Sequence, residues 1–317
     1  MISRLLVAAL LLWPIAAPAH AQKAMQIVVP FAPGASADGI ARIVASELAA
    51  RLGRQVVVEN KPGAGGSLGL VAVAKAPPDG DTLGVGATGA LVINPHLQTG
   101  SPLDPPRDLT PVAKLIDIPL VLVTHPVTGP KSIAELIALA KARPEGVSYG
   151  STGVNSSQHL AMEMLKQATG ANLVHVPYRG SAPAVTDVLG GQIALASVDL
   201  TSAYPHIQAG SLRALALADP SRSALVPQVP TIAEQGVAGF AGASGFIGLF
   251  APAGTPAPVV KRLSQEVAAM LATPEVQARV RQLAVDVAYA DDVAFGNLLA
   301  AESERWKQAL KSIGLTN

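Results

Sequence analysis

The sequence predicts an α/β protein with largely parallel sheets and about two domains, on three observations. Short β-rich runs alternate with helical ones almost throughout, the pattern of βαβ units. The 317 residues suffice for about two domains that bury their own cores, with no cysteine to staple them. Beyond residue 21, glycine, proline and charged residues interrupt every apolar run before the roughly 20 residues that a spanning helix needs. The mean hydropathy of +0.38 therefore does not describe a multi-span membrane protein.

Residues 1–21 read as a secretory signal. Arg4 supplies the positive start, residues 5–12 an apolar stretch, Pro14 and Pro18 the helix breaks, and Ala19-His20-Ala21 a cleavage point after Ala21. Without Arg4 the chain keeps 22 basic and 22 acidic residues, a balance that argues against a nucleic-acid binder. Residues 25–30 make the first strand. Residues 36–52 form a helix with Ile40, Val44 and Leu48 on one face and Gly53 as its stop. Strands follow at 55–59, 82–85, 112–116 and 120–124. A helix over 133–143 opens with Ser132 and Glu135 in capping-box spacing and ends before Pro144. Next come a strand at 147–149, a helix at 157–168, a strand at 173–176, a helix at 183–189, and strands at 193–197, 212–217 and 245–250. The last third is helical, over 257–271, 275–283 and 292–313.

Three loops hold most of the chemistry. Pro33-Gly34-Ala35-Ser36-Ala37-Asp38 joins the first strand to the first helix, where unpaired N–H groups and the positive dipole end suit a carboxylate or phosphate. An ordinary turn capped by Ser36 or Asp38 is the alternative. Residues 151–159 pack four hydroxyls, two amides and an imidazole between a strand and a helix, more hydrogen-bonding capacity than a turn requires; His159 reads equally as a structural histidine. Residues 65–69 spell G-x-S-x-G around Ser67, the nucleophile pattern of α/β-hydrolases, although a turn rather than a strand leads into the serine. No two histidines lie within five residues of each other and no thiolate exists, so neither a metal nor a cofactor is expected.

Taken together, Ile27-Val28-Val29-Pro30-Phe31-Ala32-Pro33-Gly34, Val58-Glu59-Asn60-Lys61-Pro62-Gly63, Tyr149-Gly150-Ser151, His175-Val176-Pro177-Tyr178-Arg179-Gly180 and Leu189-Gly190-Gly191-Gln192 resemble the Bug family. These are periplasmic substrate-binding proteins of tripartite tricarboxylate transporters. The resemblance implies a two-lobed periplasmic-binding-protein fold, type II-like, whose Venus-flytrap cleft closes by a hinge. It places residues 22–124 plus 245–317 in one lobe and 125–244 in the other. As ligand-binding residues it nominates Phe31, Ala35, Ser36, Asp38 and Thr88 from the first lobe, and Ser151, Thr152, Ser156, His159, Tyr178 and Asp199 from the second. Ser36 and Ser151 are expected to hydrogen-bond a carboxylate, whereas Asp38, itself negative, orients its loop. The chain departs from the family pattern at Ala35, at Ala87 and at Val198, which together suggest a less polar distal pocket. The implied role is a non-catalytic periplasmic receptor delivering a small carboxylate to inner-membrane transporter subunits, as a monomer without nucleic acid. An exported serine hydrolase using Ser67, or a sensor presenting ligand to a receptor kinase, are the alternatives.

Overall fold

The computed structural model describes residues 23–33, 36–97, 101–240 and 242–316. The expected signal segment and Ala35 lie outside them. Along the chain the first lobe contributes β1 (Met25–Val29), α1 (Ser36–Leu52), β2 (Val56–Asn60), α2 (Ser67–Ala74), β3 (Thr82–Ala87), α3 (Pro105–Asp108) and β4 (Leu109–Ile118). The second contributes β5 (Leu120–Thr124), α4 (Ile133–Ala142), β6 (Val147–Ser151), α5 (Ser157–Thr169), β7 (Leu173–Pro177), α6 (Ser181–Leu189), β8 (Leu195–Asp199), α7 (Leu200–Gln208) and β9 (Arg213–Leu217). The chain then returns to the first lobe for β10 (Gly245–Pro252), α8 (Ala257–Leu271), α9 (Pro274–Arg281), β11 (Val287–Ala290) and α10 (Asp292–Ser312).

Each lobe is built on one sheet, ordered β11-β4-β10-β3-β1-β2 in the first and β7-β6-β8-β5-β9 in the second. Apart from the edge strand β11, the two orders are the same pattern, with the third and fourth strands of a lobe separated by a strand that has just arrived from the other lobe. That arriving strand is antiparallel: β10 opposes β3 and β4, and β5 opposes β8 and β9. The sheets are therefore mixed, not largely parallel as the βα alternation predicts. The reason is geometric. Strands β1, β3, β6 and β8 end at the junction between lobes, whereas a strand entering from the other lobe begins there and must run the opposite way.

The first crossing falls at Pro119, earlier than the expected Thr124. β5 pairs along its length with β8 and is fully buried, so it belongs to the second sheet and not to the first lobe. The second crossing enters β10 at Gly245, which pairs with Ile118. The last helix does not stay with the first lobe either. Phe295 at its start packs on Phe246 and Phe250, whereas at its far end Ser312 O accepts from Gln167 Nε2 of α5.

Local chemistry explains most helix boundaries. Ser132 Oγ accepts from Glu135 N at 3.1 Å while the Glu135 carboxylate accepts from Lys131 N at 2.8 Å, a capping box that reaches one residue further back than usual. Ser156 caps α5 by accepting from His159 N at 3.2 Å, and Gly170 at φ 66° ends it. α1, α8 and α9 cover one face of the first sheet around Ile40, Val44, Leu48 and Val267. In the second lobe α6 and α7 cover one face around Val185, Val188 and Ala203, and α4 and α5 contribute Leu136 and Leu160 to the core that continues into α10. No helix among the described residues is long and apolar enough to cross a membrane.

Candidate functional site

Helices α1, α5, α6 and α7 each begin within a few residues of the C-terminal end of a strand, β1, β6, β7 and β8 respectively. In α/β sheets this end of the strands is where ligands sit, because helix N-termini leave donors unpaired there. The two lobes meet at this level: Ser36 Oγ, at the start of α1, donates to Thr201 Oγ1, at the start of α7, at 3.2 Å. One hydroxyl pair thus bridges the helix N-termini of opposite lobes.

The first-lobe loop is held from behind. Asp38 is 4% exposed and accepts from Arg42 Nε at 2.9 Å and from Asn60 Nδ2 at 2.9 Å. The same Asn60 nitrogen donates to Phe31 O at 3.0 Å. Asn60, at the end of β2, therefore ties the chain leaving β1 to the first turn of α1. Phe31 leans over Gly66, whose missing Cβ would otherwise lie 3.3 Å from the ring. Thr88 is buried; its hydroxyl accepts from Phe246 N at 2.7 Å and so fastens the end of β3 to the start of β10.

In the second lobe most of the nominated hydroxyls are used within the lobe. Ser151 is fully buried: its Oγ accepts from Gly153 N at 3.1 Å and lies 2.7 Å from His175 Nε2. Its hydroxyl is engaged within the second lobe, by Gly153 and His175. Thr152 Oγ1 donates to Gln158 Oε1 at 2.8 Å, and Ser156 Oγ donates to Gly153 O at 2.8 Å. Gln158 Nε2 in turn donates to Asp199 Oδ1, and Ser181 Oγ donates to Asp199 Oδ2 at 3.2 Å. Burial raises the Asp199 carboxyl above its ordinary value, against these two hydrogen bonds.

His159 is bonded within its own lobe. Its Nδ1 accepts from Asn155 N at 3.1 Å, which puts the proton of the neutral ring on Nε2, and its ring stacks on His175 at 4.1 Å between centroids. Burial, then the neighbouring His175, push its pKa down to about 4. His175 is lowered too, by burial, and stacks on Tyr149, whose hydroxyl donates to Glu163 Oε1 at 2.9 Å. Tyr178 donates to Asp187 Oδ2 at 2.6 Å; burial first, and then that bond, push its phenol up to about 12. Its hydroxyl is thus occupied, and its ring edge packs on Gly150.

Of the nominated residues, Ser36, Thr152, Ser156 and Asp199 lie at helix starts or strand ends on the interlobe level, with Phe31 and Tyr178 partly exposed beside them. Asn60, Gln158, His175, Ser181 and Thr201 join the network without having been nominated. Asn60 and His175 stand inside the motifs already singled out, and Gln158 lies in the polar loop, so composition could have found these three. Thr201 has no local signal, since only the folded chain brings it to Ser36. Ser67 starts α2 with ordinary helical angles, φ −66° and ψ −34°, is 1% exposed, and accepts from Asn94 Nδ2 at 3.4 Å. An exposed nucleophile on a strained strand-to-helix turn has a different geometry.

The sequence profile of the tripartite tricarboxylate transporter family receptor matches residues 40–315. BugT of Bordetella pertussis is 38% identical over 303 residues, which covers 95% of this chain and 92% of BugT. Among solved structures, that of R. palustris Rpa4515 with adipate matches with a TM-score of 0.84 at 32% identity, covering 92% of this chain and 97% of that one. MatC from Rhodopseudomonas palustris with bound malate matches with a TM-score of 0.80 at 31% identity, covering 90% of this chain and 98% of that one.

Proposed function

The chain belongs to the tripartite tricarboxylate transporter receptor family, and from that membership we propose that it captures a small organic carboxylate between its lobes in the periplasm and delivers it to the inner-membrane transporter subunits. The ligand class is a di- or tricarboxylate, an acidic amino acid or an aromatic acid. The observation that supports this best is the meeting of helix N-termini from opposite lobes at Ser36 and Thr201. An anion placed there receives backbone N–H groups and two positive dipole ends from α1 and α7, with the α5 terminus beside them. This suits a chain that is neutral once the expected signal is removed. Adipate in Rpa4515 and malate in MatC support a dicarboxylate in particular.

Each side chain then has a task. Ser36 and Thr201 supply hydroxyls to the ligand or to each other. Asn60 and Asp38 hold the first-lobe loop, and Gln158, Ser181 and Asp199 hold the starts of α5, α6 and α7. Leu68 on α2 and Val154 in the 152–156 loop are exposed apolar side chains near these strand ends, in keeping with a ligand whose carboxylates are separated by methylenes. The protein works without catalysis. Thermal unfolding of the mature chain against adipate, malate and a panel of other acids tests the reading, since a ligand bound to the native state stabilises it by RT ln(1 + [L]/Kd). Failure of every carboxylate to raise the melting temperature, together with none co-purifying, would defeat it.

A further inference from the structure

The two segments that join the lobes run side by side, with Gly245 at the start of β10 paired to Ile118 at the end of β4. The chain leaving β9 locks onto both. Ala218 N donates to Leu120 O at 2.8 Å, and Ala218 O accepts from Ala243 N at 2.6 Å, so one residue ties the first crossing to the second. Asp219 follows. It is 7% exposed, and its Oδ2 accepts from Leu120 N at 3.0 Å. Its Oδ1 is buried with no partner at hydrogen-bonding geometry among the described residues. A buried carboxylate with one amide donor at 3.0 Å and only weaker help from the Ser244 hydroxyl is costly in its charged form and much less so in its neutral one.

The surrounding charges do not neutralise it. Asp117, on β4, is the charge that acts on Asp219, and it is paired with Lys114 at 2.7 Å. Arg305 of α10 reaches Gly242 O at 2.8 Å, beside the second crossing, but is committed to Glu302 at 2.6 Å. Arg222, on the segment of Asp219 itself, is paired with Glu234 at 2.8 Å. Asp117 and Ser244 belong to the first-lobe side of the crossings, whereas Asp219 and Leu120 belong to the second.

We propose that Asp219 is a proton-sensitive latch on the interlobe hinge: neutral, it lets the two crossings pack together and holds the lobes in the arrangement seen here; ionised, it is repelled by Asp117 and draws water into the hinge, so the lobes part. Burial first raises its carboxyl to about 7, with Asp117 adding to the rise and the Leu120 amide and Ser244 hydroxyl opposing it. The sign follows from linkage. The packed hinge holds a proton that a hydrated carboxyl releases near its ordinary value, so acid favours closure from about pH 7 downward, and rising pH through about 7 removes that preference. The latch acts whether or not a carboxylate is the ligand.

The chain has no cysteine, so nitroxide labels at Val57→Cys on β2 and Val174→Cys on β7, both exposed, report the interlobe distance by double electron–electron resonance in the full ligand-free mature protein. As pH falls from about 8.5 to about 5.5, the population at the closed distance rises, the rise setting in near pH 7. Asp219→Asn abolishes this dependence and stays closed throughout; Asp117→Asn moves the midpoint of the rise to lower pH. A distance distribution that ignores pH in the otherwise unaltered protein, or the same pH dependence surviving in Asp219→Asn, overturns the latch. Should Asp219→Asn not fold, an unmoved midpoint in Asp117→Asn overturns it instead.

Discussion

Replacing Asn60 with alanine removes both hydrogen bonds its amide donates, to Phe31 O at 3.0 Å and to Asp38 Oδ1 at 2.9 Å, and the long, exposed one its oxygen accepts from Arg42 Nη2 at 3.3 Å. The first, between neutral groups, is worth about 1 kcal/mol, and the second, to a buried carboxylate, about 1.5–3 kcal/mol. Asp38 keeps the Arg42 guanidinium at 2.9 Å, so its charge is not stranded and the loss settles near about 3 kcal/mol. At no more than about 2–4 °C per kcal/mol, the range for chains of about 150–250 residues, the melting temperature falls by up to about 6–12 °C. Asn60→Asp is the sharper perturbation. It keeps the side-chain shape but sets a second carboxylate against Asp38 where a donor stood, so it destabilises more than alanine at pH 7. Thermal unfolding followed by circular dichroism decides. A fall under about 2 °C for Asn60→Ala, or Asn60→Asp melting above Asn60→Ala at pH 7, would refute the pinned loop.

Three further outcomes are expected. The hydroxyls of Ser36 and Thr201 act as one pair, so Ser36→Ala, Thr201→Val and the double variant each weaken binding of a carboxylate by a similar factor, up to about tenfold; additive losses in calorimetric titration would show that the pair does not exist. The neutral state of His159 is favoured by burial. Its pKa is near 4 when folded and near 6.5 when unfolded, so this group's stabilisation is complete above about pH 6.5 and is lost as pH falls toward 4, by up to about 3 kcal/mol. His159→Gln flattens the melting temperature between those pH values, and an unchanged slope would assign the loss elsewhere. The unaltered protein turns over no p-nitrophenyl ester, and Ser67→Ala leaves carboxylate affinity unchanged; ester turnover abolished by Ser67→Ala would restore the hydrolase reading.

Wherever a boundary signal was local, the sequence was enough. α1 runs over Ser36–Leu52 and α8 over Ala257–Leu271 as the periodicity and flanking Gly and Pro predict, and Ser132 caps α4 as its spacing requires. α2 was missed because Gly63 to Gly66 read as a turn and the following SLGLVAVA is apolar on nearly every side, with no period to detect. α7 was missed because it is short and contains Pro205. The parallel pairing of β1 with β2 and β3, and of β6 with β7 and β8, follows from the βα alternation, but the antiparallel direction of β5 and β10 was not legible, since it depends on which strand arrives from the other lobe. That same fact misplaced β5: its apolar run says that it is buried, not in which sheet. At the site, composition located the loops but not the aim of their side chains. Ser151 and Thr88 looked like ligand donors, yet fastening a strand end requires the same hydroxyl chemistry. Asp38 could be assigned from charge alone, because a carboxylate beside an anion must have another partner.

Isothermal titration of the mature chain, purified without refolding and freed of carried-over ligand, tests anion capture between the lobes most directly. At least one of adipate, malate or the related acids should bind at one site with a negative heat-capacity change, and its amide analogue, lacking the charge, should bind at least about tenfold more weakly. Binding of the uncharged analogue as tightly as the acid, or of no acid at all, would contradict a cleft built from helix N-termini to hold a carboxylate.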